Sequence, residues 1–311
     1  MKFIVSNKDR AGTGWSLTRE GKEAIWGYFF ISPWIVGLIA FSAIPILSAI
    51  YYGFTRYDIF TPPVWIGLTN YRKMFTDDPL FWKSLYNTAY YVCISVPLRL
   101  LLAFSLAMLL NSRIRGMAVY RSLIYIPMVV PIVAAAILAS WILHPRIGIM
   151  NYLLSFMKIP AIRWMVTERW SKPAIVLVSL WRIGETTIIF LAGLQGIPTQ
   201  LYEAADIDGA TPRVKLFRIT IPMLTPVILF NLIIDIIHSF QVFAFALIMT
   251  KGGPLNSSLF FVLYIYQQSF NFFHMGYACG LATVLFLIVL GLTILVFRSS
   301  ESWVYYEAEG R

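Results

Sequence analysis

Six stretches of this chain are apolar for about the twenty residues that a helix needs to cross a bilayer. They cover roughly 26–52, 87–110, 121–143, 174–195, 222–249 and 276–297. In hydrocarbon every backbone N–H and C=O must find an internal partner, so apolar runs of this length read as helices. Composition agrees: 59% of residues are hydrophobic and 13% charged, with mean hydropathy +0.71, whereas soluble domains carry about 25% charged residues. The expected fold class is an all-α polytopic membrane protein of about six transmembrane helices. Its membrane body spans 26–297, flanked by segments 1–25 and 298–311. The hydrophilic stretches are each shorter than the ~40 residues below which a segment rarely folds alone.

The first span carries no charged residue from Ala24 to Thr55. A signal-peptide core is only ~7–15 residues long, so this segment reads as a retained anchor. Pro33, Pro45, Pro97, Pro131 and Pro226 fall inside spans and predict kinks, because each removes a helical N–H donor.

An even number of spans puts both termini on one side. The amino-terminal segment alone holds Lys2, Lys8, Arg10, Arg19 and Lys22, which favours an inside amino terminus. The segments 111–121, 193–220 and 298–311 then also lie inside. The opposite side collects Thr61-Pro62-Pro63, Trp65, Tyr71, Phe81-Trp82, Trp164 and Trp170, rings that suit the headgroup level. Residues 257–273 are uncharged and mix Tyr264, Tyr266, Gln267, Gln268 and Asn271 with apolar residues. They read as a helix lying on the outer surface, or else as the start of a tilted sixth span.

Several function classes are disfavoured. The net charge of +10 comes from bases scattered through short loops, so it reads as topology and not as a nucleic-acid face. Cys93 and Cys279 sit in apolar segments without metal-ligand spacing, and His144, His238 and His274 are dispersed. No Gly-x-x-x-x-Gly-Lys-Ser/Thr loop is present; Gly21-Lys22 is followed by Glu23. No cofactor, metal or enzymatic activity is expected of this chain itself.

Polar groups at mid-membrane are costly and usually face a cavity or the bundle interior. The fifth span carries Asn231, Asp235, His238 and Val242 at i, i+4, i+7 and i+11, one helical stripe, with Gln241 about a third of a turn away. The fourth carries Arg182, Glu185, Thr186 and Thr187. Glu185, Thr186, Asn231, Asp235, His238 and Gln241 are candidate pathway residues. Each set has a structural alternative: Arg182 with Glu185, and Asp235 with His238, are i, i+3 neighbours that could neutralise each other. Arg99 in the second span reads as a packing or snorkelling residue.

Between the fourth and fifth spans lies a polar island, Glu203 to Pro222. Gly209 suits a left-handed helix end, and Thr211-Pro212 reads as N-cap and first residue of a following helix. The residues Glu203, Ala204, Ala205, Asp208, Gly209, Ala210, Phe217, Ile219 and Pro222 resemble the EAA loop of permease subunits of bacterial ABC importers. Ile221 departs from the usual Leu. Weaker similarity to the carbohydrate branch runs through Thr69-Asn70-Tyr71, Ser84 to Thr88, Trp141 to Leu143 with Gly148 and Asn151, Thr250 to Pro254 and Phe272 to Ala278. Glu185 departs from that pattern, standing where an aromatic residue is expected.

The resemblance implies a multi-pass protein of the bacterial cytoplasmic (inner) membrane that forms half of a translocation pathway for a sugar, oligosaccharide or related polyol. It implies two copies of a cytoplasmic ABC ATPase holding ATP and Mg, and an extracytoplasmic solute-binding protein. A second permease subunit completes the pathway, and the sugar branch favours a heterodimer. Glu203 would then pair with a basic group on the ATPase. The rival reading is a secondary transporter or channel acting without an ATPase, which leaves the Glu203 loop unexplained.

Overall fold

The computed structural model describes residues 19–112 and 115–305. The amino-terminal bases up to Arg10, Arg113 of the 111–121 segment and the last residues of the tail lie outside the described residues.

Residues up to Tyr51 form a unit of their own. Here α1 (Arg19–Leu38) passes through a wide turn, Ile39–Ala43, into α2 (Ile44–Gly53). Pro45 has no N–H, and its ring would crowd the carbonyl of Phe41. The Ile44 N–H instead reaches back five residues to the Ile39 carbonyl, so the turn absorbs the proline. The helical run Glu23–Gly53 is 31 residues long and none of its most apolar stretch is buried. An all-round apolar surface of this kind belongs in lipid.

The second unit begins with a short antiparallel pair, β1 (Thr55–Arg56) and β2 (Val64–Trp65), in which Thr55 faces Trp65. After α3 (Thr69–Thr76) comes the 32-residue α4 (Pro79–Leu110). Asp78 starts it: its Oδ1 accepts from the Leu80 and Phe81 N–H groups, and Pro79 occupies the first helical position, where no donor is needed. Its Oδ2 accepts from the hydroxyls of Tyr264 and Tyr277, tying the start of α4 to two later segments.

The third and fourth spans are broken. α5 (Met117–Val129) and α6 (Ile132–Ile142) meet at 98°, and α8 (Glu168–Leu180) and α9 (Gly184–Gly196) at 48°. A short α7 (Ile149–Phe156) lies between the two pairs. Next come α10 (Thr199–Ile207), α11 (Pro212–Lys215) and α12 (Ile221–Phe240). α13 (Phe261–Tyr266) precedes the last span, α14 (Met275–Ser300). Among the described residues four helices are continuous and apolar enough to cross a membrane, or up to six counting each bent pair as one span. Of the prolines expected to kink, only Pro131 sits at a break; the helices run on through Pro33, Pro97 and Pro226. α9 continues to Gly196 and α14 to Ser300, so the flanking polar segments start a few residues later than their hydropathy suggests.

α4 is the centre of the packing and touches α8, α9, α12 and α13. Lipid offers no hydrophobic drive for helices to associate, so close approach and internal hydrogen bonds carry the contact. On α4, Ala103 and Ala107, one turn apart, are fully buried and pack with Phe190, Leu191 and Leu194 of α9 and Leu224 of α12. At Gly184 a Cβ would stand 2.6 Å from the Ile124 carbonyl oxygen, so only glycine lets α9 start against α5.

Residues 257–273 follow neither expected path. Leu259, Phe260, Phe261 and Leu263 are fully buried, and the segment is stitched to α4. The Asn87 side chain donates to the carbonyls of Asn256 (2.9 Å) and Leu259 (3.0 Å), and Thr88 accepts from the Phe261 N–H. A non-helical turn at Phe272–His274 separates it from α14. Its first part, 257–264, is a core segment, which explains why that part is uncharged, whereas Phe270, Phe272 and Phe273 at its end are exposed.

Asn151 fastens the loop after α7 in the same way. Its amide donates to the carbonyls of Pro145 and Ile162, and its carbonyl accepts from the Ile162 N–H and the Trp164 indole. Removing it strands two donors, each costing about 1–3 kcal/mol when buried. Asn151→Ala should therefore destabilise the protein by at least about 2 kcal/mol, seen as a fall of several degrees in the detergent unfolding midpoint. An unchanged midpoint would show that solvent reaches these groups.

Candidate functional site

Three helix interruptions converge on one cavity of about 620 Å³. They are the α5/α6 break, the α8/α9 break, and a non-helical stretch at 241–243 after α12. The lining includes Met128 and Ile132, Arg182, Glu185 and Thr186, and Gln241 to Phe245 beside those three breaks. Broken helices in a membrane protein are tolerated where they line a cavity or are buried in protein.

All six candidate pathway residues, Glu185, Thr186, Asn231, Asp235, His238 and Gln241, line this cavity. Asn231, Asp235 and His238 arrive as the expected α12 stripe. Gln241 arrives by a different route. α12 ends at Phe240, so helical spacing no longer governs Gln241, and the chain turns it into the same space. Thr187 turns away: it is buried, and its hydroxyl donates to the Ile183 carbonyl. Tyr91, Phe230, Phe243 and Phe245 supply aromatic surface that the sequence reading did not single out.

The charged pairs differ from both intrahelical alternatives. Asp235 does not pair with His238. Arg99 reaches across from α4, its Nη1 3.5 Å from Asp235 Oδ1 and its Nη2 donating to Ser239 Oγ at 2.6 Å. Arg99 is thus an interhelical partner and a cavity residue, not a snorkelling side chain. The signal was present, because Arg99 is the sole charged residue of 84–110 and Asp235 the sole acid of α12. Single opposite charges on separate spans are best accommodated by meeting.

Arg182 does not pair with Glu185 either. Its Nη1 donates to the carbonyls of Val130 (2.7 Å) and Pro127 (3.2 Å), and its Nη2 to that of Met128 (3.4 Å). The Pro127 carbonyl would ordinarily accept from residue 131, which is a proline without an N–H. Arg182 therefore satisfies carbonyls freed by the α5/α6 break. Glu185 has no hydrogen bond or ion pair among the described residues and faces the cavity. Asp235 Oδ2, Arg99 Nε and Ser95 Oγ are buried polar atoms without a partner among the described residues.

The polar island folds as two short helices about a tight turn. Gly209 takes φ +69, the left-handed position. The Ala210 N–H bonds to the Ala205 carbonyl and the Gly209 N–H to that of Asp206, the paired bonds of a Schellman end. Thr211 then caps α11, its hydroxyl accepting from the Val214 N–H. Lys215 and Asp206 form an ion pair across the turn, and Tyr202 bonds Thr220 at 2.9 Å. A wide turn at Leu216–Thr220 precedes Pro222, as Ile39–Ala43 precedes Pro45.

Glu203, Ala204, Asp208, Gly209 and Phe217 are exposed, Ala205 and Ala210 half-buried. Pro222 lines a small groove at the start of α12. Ile207 is 88% and Phe217 65% exposed, which puts bare apolar side chains on a polar, internally braced turn. Such a surface is suited to a protein partner.

Comparison with known proteins gives a consistent result. Residues 99–300 match the family described as binding-protein-dependent transport system inner membrane component. The chain is 41% identical over 291 residues to a probable ABC transporter permease protein of Bacillus subtilis, YesP, covering 93% of this chain and 94% of that one. It is 32% identical to the sulfoquinovosyl glycerol transport system permease protein SmoG of Agrobacterium fabrum, covering 91% and 93%. It is also 32% identical to the trehalose/maltose transport system permease protein MalF of Thermococcus litoralis, covering 89% and 94%. In fold it matches a chain of a bacterial alginate ABC transporter crystallised with an alginate pentasaccharide-bound periplasmic protein. The TM-score is 0.79 at 21% identity, covering 91% of this chain and 96% of that one.

The Arg99–Asp235 link can be tested by a mutant cycle. Removing one partner of a buried pair costs about 3–5 kcal/mol, whereas replacing both by apolar groups is often close to neutral. Arg99→Met alone should lower the detergent unfolding midpoint sharply, and Arg99→Met with Asp235→Leu should recover most of the loss. Additive losses would mean that the two residues act separately.

Proposed function

The chain belongs to the binding-protein-dependent transport system inner membrane component family, and from that membership we propose that it forms half of the pathway of an ATP-driven sugar importer. In this reading a separate cytoplasmic ATPase, present in two copies, holds ATP and Mg. A second, different permease subunit faces the cavity, and an extracytoplasmic binding protein delivers the solute. Both termini and the Glu203–Pro222 turn face the cytoplasm, where ATP is. The basic amino-terminal segment supports that orientation.

The observation that carries the reading is the braced turn at Gly209 with Ile207 and Phe217 bare beside Glu203. A loop whose only task was to connect two spans would have no need of a Schellman end, a capped second helix and an ion pair across them. Ala204, Ala205 and Ala210 keep the helix slim enough for a groove, and Glu203 supplies a charge for a basic group on the ATPase.

The sugar assignment draws on the relatives' names and on the chemistry of the cavity. Hydroxyl-rich solutes are held by planar hydrogen-bonding groups and aromatic faces, and Asn231, Gln241, Thr186, Glu185 and His238 stand there beside Tyr91, Phe230 and Phe243. The two guanidinium groups are occupied by protein acceptors. Glu185, exposed and lining the cavity, remains available to accept bonds from solute hydroxyls.

Gentle purification of the tagged chain should bring with it a P-loop ATPase and a second six-span protein. A chain that purifies alone and still moves solute in liposomes would establish a secondary transporter instead. Gly209→Val places a β-branched residue at positive φ, a strain of about 1–3 kcal/mol, and should cut coupled transport about tenfold at normal membrane levels. Glu203→Lys should weaken retention of the ATPase. In the cavity, Asn231→Ala and His238→Ala should raise KM for the solute while ATPase retention stays normal. Loss of retention in those two variants would mark them as structural residues.

A further inference from the structure

The connection between α6 and α8 carries an apolar surface that neither the cavity nor the coupling turn uses. The inner face of α7 is fixed by buried Asn151, with Met150 and Leu154 packed on the core. Its other face presents Ile149, Tyr152, Leu153 and Phe156 at i, i+3, i+4 and i+7, each between 53% and 69% exposed. The stripe is extended by exposed Ile147 and Met157 at either end of the helix, and exposed Trp141 and Ile142 lead into it from α6.

Charge flanks this face on both sides. Arg146 precedes it and Lys158 follows it; both are exposed and without an ion pair among the described residues. No acidic residue occurs from 144 to 167, and Arg163 adds a third exposed base. An apolar helical face edged by unpaired bases is the pattern of a helix lying in a bilayer interface.

We propose that α7 lies in the headgroup layer of the membrane, its stripe against acyl chains and Arg146 and Lys158 on lipid phosphates. A soluble protein that docked transiently would leave the stripe bare to water between encounters, at about 25 cal/mol per Å² of apolar surface. Lipid covers it throughout. α7 then fixes the depth of the α6–α8 connection, and through Asn151 that of Trp164 and the loop around it. None of this depends on the importer reading, or on which leaflet is involved.

The test uses the full-length chain, with the subunits that co-purify, in a Cys93→Ser, Cys279→Ala background. Nitroxide labels are placed at Leu153→Cys or Phe156→Cys and, as a control, at Lys158→Cys. The protein is reconstituted into phosphatidylcholine vesicles with or without phosphatidylglycerol. At 153 and 156, collisions with oxygen should exceed collisions with a water-soluble nickel chelate, and at 158 the order should reverse. Phosphatidylglycerol should move the label at 153 deeper, and Arg146→Gln with Lys158→Gln should abolish that shift. Nickel-dominated collisions at 153 would mean a water-facing helix. Suppression of both collision types would mean that a protein partner covers the stripe, and an unchanged depth with phosphatidylglycerol would remove the phosphate contact. Each of these three results overturns the proposal.

Discussion

Backbone hydrogen bonding in a medium without water is the constraint on which the rest of this structure depends. A continuous helix satisfies it without help, but a continuous helix also encloses no space. The chain opens a cavity by interrupting three helices, and each interruption frees carbonyl groups that need donors. Arg182 meets that need at the α5/α6 break, bridging the carbonyls of Pro127, Met128 and Val130. One charged side chain from the fourth span thus makes the break in the third span tolerable. Its cationic charge also stands beside the anionic Glu185 in the cavity wall.

The same constraint explains the buried amides away from the cavity. Asn70 donates to the carbonyls of Gly53 and Thr55, Asn87 to those of Asn256 and Leu259, and Asn151 to those of Pro145 and Ile162. In each case an asparagine on a helix satisfies backbone of a neighbouring segment at a helix end or outside a helix. Asp78 does comparable work with a carboxylate, capping α4 through one oxygen and gathering two tyrosines through the other. Irregular segments can therefore be packed against the helices with these carbonyl groups satisfied.

How much of this was legible follows from which signals are local. Long apolar runs report spans directly, and Gly209, Thr211 and Pro212 report the turn because caps are set by neighbouring residues. The α12 stripe was readable because a helix has a fixed period. The α8/α9 break at 181–183 was not, since no proline or paired glycine marks it; the close approach of Gly184 to the Ile124 carbonyl just after it is long-range. Residues 257–273 were misleading for a related reason. An uncharged segment reads the same whether its apolar side chains meet lipid or, like Phe260 and Leu263, fill the core. Arg99 and Asp235 lie in between: their pairing is long-range, yet Asp235 is the lone acid of α12 and Arg99 the lone charge of α4 beyond Lys83.

The Glu203–Pro222 turn and the cavity are joined by two packed helices. α9 begins at Gly184, lines the cavity with Glu185 and Thr186, and ends at Gly196, just before the turn. α12 leaves the turn through the wide segment at Leu216–Thr220 and ends at the cavity with His238. At about 1.5 Å per residue the two helices reach roughly 20 and 30 Å. They are packed together closely enough that a Cβ at Gly193 would stand 2.8 Å from Val227. A displacement of the turn cannot be absorbed between them by a loose contact. It must either bend a helix or move Glu185 and His238 relative to Arg99 on α4. The Arg99–Asp235 link is the one ion pair among the described residues that joins α12 to a helix outside this pair. Between the turn and that link both helices also pack on Ala103 and Ala107 of α4, so a push on the turn meets α4 along its length and at the cavity end through Arg99.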